Sequence, residues 1–189
     1  MLYLASKSPR RLELLQQLGL RPGLLEIRVP EQREPNESAE DYVRRVAREK
    51  AGAGLLQVSG SATAVVLAAD TEVVLDDRVF GKPADAEQAA EMLRALSGRV
   101  HQVISTVCVA DHGREATETC VSKVRFAALD ERSIADYVSS DEPFGKAGAY
   151  AIQGRGAQFV AHLEGSYSGV MGLPLFETCQ LLKSFHILN

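Results

Sequence analysis

The sequence predicts an α/β domain built on a mixed sheet, and three patterns point there. An unbroken apolar run at residues 64–69 has the composition of a strand covered on both faces. Several stretches carry apolar residues at three- and four-residue spacing, and serine or aspartate precedes most of them, as at a helix start. Strands alternate with four or five such helices along the chain, with no internal repeat or low-complexity tail.

Residues 2–5 read as a short buried strand. Ser8 is a suitable N-cap and Pro9 a first helical residue, where a missing N–H costs nothing, so the strand leads into a helix N-terminus. Arg10 and Arg11 then occupy the first turn, where the helix dipole disfavours cations, and something anionic should sit there. At about 100° per residue, Leu12, Leu14, Leu15 and Leu18 share one arc, and Arg11 falls inside it. Arg11 therefore points toward the interior or a cleft. It either runs along the core edge to a structural carboxylate or faces a ligand.

Gly19 suits the position after the helix end, residues 24–29 read as a strand, and residues 30–37 as a polar loop. Ser38 with Asp41 forms a capping pair for a helix running to about Gly52. Val43, Val46, Ala47 and Ala51 line one face of it, and Lys50 shares that face. Lys50 is either a solvated lysine complementing the helix C-terminus or a second cation set into an apolar stripe.

After a turn at residues 60–63, the apolar strand ends in Asp70-Thr71. A carboxylate at the end of a buried strand needs a partner. The structural options are a turn cap or a salt bridge; the functional ones are a metal ligand or a general base. Residues 72–75 and 78–80 flank Asp76-Asp77 like a hairpin, and Gly81-Lys82-Pro83 aims a lysine from a loop. Asp85 and Gln88 open a helix containing Ala89, Met92, Leu93 and Leu96, closed by Ser97-Gly98.

Strands follow at residues 100–110 and 118–126 about a turn at His112-Gly113. His101 reads as structural, because no Cys or Ser nucleophile shares a motif with it. Asp130 caps a helix through Val138. A Gly-rich loop over residues 139–158 carries Lys146 and Gln153 but matches neither GxxxxGK[ST] nor GxGxxG. Residues 158–163 and 168–171 read as a last hairpin about Glu164-Gly165. Pro174 starts a terminal helix with Leu175, Cys179 and Leu182 inward.

At 189 residues, 46% of them hydrophobic, the chain suits one domain spanning residues 1–189. A net charge of −4 supplies no basic field for nucleic acid, so any anion site must be local. The three cysteines are widely spaced and lack a zinc or disulfide pattern. No basic leader or membrane-length apolar stretch is visible, so a soluble cytoplasmic protein is expected, with no membrane partner.

The ordered segments LASKSPRRLELL, AADTEVV, GKP, LSGRVHQV, KAGAYAIQG and GSYSGVMGLPL resemble the motifs of the Maf family of nucleoside triphosphate pyrophosphatases, over about residues 2–182. The resemblance implies an elongated mixed sheet with flanking helices and two lobes around a central cleft, similar to inosine triphosphate pyrophosphatases. It implies hydrolysis between the α and β phosphates to a nucleoside monophosphate and pyrophosphate, a divalent cation (Mg2+ or Mn2+), and a homodimer.

Matched residue by residue, it implies phosphate binding by Ser6, Arg10, Arg11, Lys50, Lys82 and Lys146. Asp70 stands as proton acceptor, and Asp70 with Glu31 as metal ligands. The YAIQG of residues 150–154 resembles the dTTP/UTP-preferring branch, in which Arg11, Thr71 and Gln153 would govern base choice. The glutamine amide offers both donor and acceptor to a pyrimidine edge. Two positions depart from the family pattern: Gly145 stands where an Asp is usual, and Pro30 replaces a polar residue before Glu31. The rival expectations are the same chemistry on another base, such as a methylated guanosine triphosphate, and a noncatalytic nucleotide-binding regulator of cell division.

Overall fold

A computed structural model describes residues 1–189 and contains seven strands in one mixed sheet. The chain enters through β1 (Leu2–Leu4), α1 (Pro9–Gln17) and β2 (Gly23–Leu24), then α2 (Ala39–Gln57) and the long β3 (Val65–Leu75). There follow β4 (Arg78–Phe80), α3 (Ala86–Leu96), β5 (Val100–Ala110), β6 (Glu115–Phe126) and α4 (Glu131–Val138). Short 3-10 turns lead into β7 (Val160–Glu164), α5 (Tyr167–Met171) and α6 (Leu175–Ser184). The sheet order is β2-β1-β3-β5-β6-β7, with β4 paired to β3. β1 is parallel to both β2 and β3, and the remaining pairings are antiparallel.

Helices cover both faces of this sheet. Odd-numbered β3 residues Leu67, Ala69 and Val73 join the main core with Leu14 of α1, Leu93 of α3, Ile134 of α4 and Leu182 of α6. Even-numbered Val66 and Ala68 pack instead against Ala47 and Ala51 of α2. Strand alternation makes this division, and it extends to the polar residues further along β3. No helix is long and apolar enough to cross a membrane.

The helix starts follow local chemistry. The side chains of Ser38, Asp85 and Asp130 accept hydrogen bonds from the N–H groups of Asp41, Gln88 and Ser133 at 3.0, 2.8 and 2.7 Å. Asp76 and Asp77 both have positive φ, 48° and 63°, as a two-residue turn of type I′ requires.

Four expectations need correction. Residues 25–29 do not form a strand: β2 stops at Leu24 because β1, its partner, ends at Leu4. α2 continues past Gly52 to Gln57, and Gly54 lets it approach the sheet closely, since a Cβ there would lie 2.8 Å from Val66 Cγ1. β3 does not end at Asp70 but runs on to Leu75, so Asp70 lies mid-strand. Residues 167–171 form the short helix α5 rather than a hairpin strand, with Ser166 capping it through a 3.0 Å bond from Gly169 N–H.

Candidate active site at a gap in the sheet edge

β5 covers one edge of β3 from Val66 to Val74. On the other edge β1 pairs only as far as Leu67, with Ala5 N–H adding a 2.8 Å bond to Leu67 O, and β4 begins only at Val73. Residues 68–72 therefore have no strand on their outer edge, and a cleft of about 390 Å³ opens there. Ser6, Arg10, Arg11, Glu31, Lys50, Asp70, Thr71, Lys82 and Lys146 all line it. Gln153 does not; it is exposed on the turn that follows the cleft-lining Tyr150.

On the α2 side of β3, Lys50 Nζ sits 2.7 Å from Asp70 Oδ1 and 2.6 Å from Glu31 Oε1. The Lys50 side chain is 8% exposed and that of Asp70 10%. Burying an ammonium costs several kcal/mol unless its partners compensate, and here two carboxylates do. The solvated reading of Lys50 is thereby excluded. Glu31 Oε2 lies 3.2 Å from Lys82 Nζ, which completes a chain of alternating charge. Partial burial would raise the Glu31 carboxyl, but the hydrogen bond and charge of Lys50, joined by Lys82, hold it down to about 2. The loop carrying Glu31 is tied to α2 by Arg45, which donates to the Glu37 carboxylate at 2.7 Å and to Gln32 O at 3.0 Å.

Glu72 also belongs to the candidate site, although the family resemblance gives it no role. It follows Asp70 by two positions, faces the same side and lines the cleft. Its Oε2 is buried without a hydrogen-bond partner. Burial, then the charge of Asp70, push its carboxyl up to about 8. The signal for it was the strand period itself: two acids at i and i+2 share a face.

On the opposite face, Arg11 meets only neutral acceptors. Its Nε donates to Gly172 O at 2.8 Å, Nη1 to Ser6 Oγ at 3.2 Å and Nη2 to Thr71 Oγ1 at 3.4 Å. No carboxylate lies within ion-pair distance of Arg11, so the alternative of a structural ion pair fails. Arg10 and Lys146 likewise have no carboxylate partner. Lys146 donates only to Phe144 O at 3.3 Å. Burial lowers the pKa of each, and the charge of Arg10 lowers Lys146 further. Three cations without counter-ions thus border one part of the cleft, beside the α1 N-terminus, as an anion site requires. Gly145, also on the cleft wall, has φ 72°, in the left-handed region that favours glycine and that Asp76, Asp77 and Asp141 also occupy.

His101 is structural, as expected. It is 1% exposed, with Nε2 2.9 Å from Tyr150 Oη and its ring edge-on to Phe126. Burial pushes it down to about 4, so it is neutral near pH 7.

No three His, Cys, Asp or Glu side chains are gathered closely enough to hold a metal ion unaided. Asp70 and Glu31 are bridged by Lys50. The donors still suit a hard cation: all are carboxylate oxygens, and Glu72 Oε2 is buried and unpartnered. Magnesium-like ions commonly take one or two protein carboxylates and complete their shell with water and substrate phosphate.

A family model described as Maf-like protein matches residues 1–185. The chain is similar to the dTTP/UTP pyrophosphatase of Xanthomonas campestris pv. campestris, 58% identical over 187 residues, 98% of each chain. It is also similar to the nucleoside triphosphate pyrophosphatase of Xylella fastidiosa strain 9a5c, 58% identical over 186 residues and again 98% of each. The dTTP/UTP pyrophosphatase of Xanthomonas oryzae pv. oryzae strain MAFF 311018 is 55% identical over 187 residues, with the same coverage.

Proposed function

The chain belongs to the Maf-like protein family, and from that premise we propose that it hydrolyses dTTP and UTP to the nucleoside monophosphate and pyrophosphate, clearing unwanted pyrimidine nucleotides from the pool. The observation that carries this reading is the pairing of Arg10, Arg11 and Lys146, cations without carboxylate partners, with the Asp70–Lys50 ion pair in one cleft.

The triphosphate lies against Arg10, Arg11 and Lys146, with Ser6 and the α1 N–H groups beside them. Phosphoryl transfer is mostly positioning and charge stabilisation, and fixed cations supply both. Lys50 holds one Asp70 oxygen, which leaves the other to take the proton of the water that attacks the α phosphorus. The α–β bridging oxygen leaves with pyrophosphate. A Mg2+ or Mn2+ would be held by Asp70 and Glu31, each sharing an oxygen with Lys50, and would supply neutralisation of phosphate charge. Lys82 steadies Glu31 and reaches the outer phosphates. Thr71 and Arg11 meet the base, and Gln153 adds its amide from the turn after Tyr150. In this proposal residues 1–189 act as one catalytic unit, and the working form is a cytoplasmic homodimer.

The test is a panel of triphosphates at equal concentration, with Mg2+ or Mn2+ and products resolved. Preferential turnover of dTTP and UTP, with pyrophosphate and monophosphate in equal amounts, is expected. Preferential turnover of purines would refute the base assignment. Asp70→Asn should abolish turnover while nucleotide binding persists; full activity in that variant would remove Asp70 from the chemistry.

A further inference from the structure

We propose that Ser105 is a positioning residue for base selection: its buried hydroxyl fixes the Thr71 hydroxyl as a hydrogen-bond acceptor toward the cleft. The inference rests on the reading above that the base lies against Arg11 and Thr71, and it concerns a residue that lies behind that wall.

Ser105 is 0% exposed, on β5 directly opposite Thr71 of β3. Its Oγ lies 2.7 Å from Gly169 O. A carbonyl can only accept, so the single Ser105 proton is committed there. The carbonyl is itself held in place, because Gly172 N–H also donates to it at 3.0 Å.

Thr71 Oγ1 is 2.8 Å from Ser105 Oγ, and one of the two must donate. With the Ser105 proton spent, the donor is Thr71. Gly172 O is the only rival for the Thr71 proton; it is farther, at 3.4 Å, and already accepts Arg11 Nε at 2.8 Å. Protons therefore run in one direction, from Arg11 Nη2 to Thr71 to Ser105 to Gly169. Thr71 is left with one lone pair, and no proton, for whatever enters the cleft.

The wall then presents a guanidinium donor beside a hydroxyl acceptor. Its complement is a ring edge with a carbonyl beside an N–H, the imide edge of uracil and thymine. In the position that sets the uracil N3–H on Thr71, fixed by the sugar and triphosphate that both nucleotides share, cytosine is mismatched, because its ring N3 is an acceptor and would face the Thr71 lone pair. Removing Ser105 frees the Thr71 proton to rotate into the cleft, and the mismatch disappears.

The experiment compares kcat/KM for dTTP and dCTP in wild type, Ser105→Ala and Ser105→Cys, with thermal melting to verify folding. Wild type is expected to prefer dTTP. Ser105→Ala should lower the dTTP:dCTP ratio by about tenfold, roughly one hydrogen bond's worth of discrimination, mainly by improving dCTP. A general packing defect would instead lower both substrates together. Ser105→Cys keeps the shape with a weak donor and should fall between the two; it carries the comparison alone if the alanine variant does not fold. A folded Ser105 variant with the wild-type ratio overturns the role of Ser105 and leaves the pyrophosphatase reading intact. A wild type without preference for dTTP over dCTP overturns the base assignment itself.

Discussion

Replacing Glu72 by glutamine should stabilise the metal-free protein, and the gain should grow with pH. Burial, then the charge of Asp70, raise the Glu72 carboxyl from 4.5 to about 8, and its Oε2 finds no partner. Between those two pH values the native state holds a proton that the unfolded chain has released. Where the folded state binds more protons, stability falls as pH rises. The contribution is complete below pH ~4.5 and gone once pH passes ~8. At about 1.4 kcal/mol per pH unit, that interval caps the loss near ~5 kcal/mol. Water at the cleft wall and relaxation of the Lys50 network reduce it to an expected ~2–3 kcal/mol. Glutamine keeps the shape and cannot ionise. Urea denaturation of both proteins in chelator, at about pH 5.5 and about pH 9, reads the difference. An advantage equal at both pH values, or a variant less stable at the alkaline end, would refute the reasoning.

Two further variants address other buried ionisable groups. Lys50→Met leaves Asp70 and Glu31 facing each other without their cation, which should cost about 3–5 kcal/mol in denaturant stability and nearly all turnover. In that variant Glu31 should also titrate above its present value of about 2, a change visible by carboxyl NMR. His101 is depressed from 6.5 to about 4 by burial, so the unfolded chain takes up a proton first as pH falls. Its contribution is complete above pH ~6.5 and lost through ~4, at most about 3 kcal/mol. His101→Gln, which cannot charge, should show a shallower loss of stability on acidification.

What could be read from the sequence was what neighbouring residues decide among themselves. Ser38, Asp85 and Asp130 cap their helices because the groups they bind lie three residues away. The inward arc of Arg11 and the buried face of Lys50 follow from helical period alone. Residues 25–29 have strand composition yet form none, because pairing depends on where β1 stops, which is not encoded next to them. The same non-local fact hid the cleft, since the gap at residues 68–72 exists only because β1 ends early and β4 begins late on a shared edge. Val170 and Met171 suit a strand, but Ser166 caps the segment and α5 docks on β5 through the Ser105 bond to Gly169. Only resemblance points to Gln153, and nothing in local pattern reveals its exposed position.

Alternation along β3 then divides the labour at the gap. Asp70 and Glu72 face α2, where Lys50 and Glu31 wait, while Thr71 and Val73 face the side of Arg11, Ser105 and Gly172. Ordinarily a sheet keeps its two faces apart, so the proposed charge chemistry and base recognition, on successive residues of one strand, could not serve one ligand. Here the missing neighbour opens the strand edgewise, and both faces reach the same cleft. A one-residue slip of β3 against β5 would exchange the faces, setting Asp70 against Arg11 and removing Thr71 from Ser105. The nine ladder positions from Val66 to Val74, with no bulge among them, hold that register. The longest regular pairing of β3 thus lies directly behind the residues that need their faces kept distinct, and it leaves the open edge as the only route by which a ligand meets both.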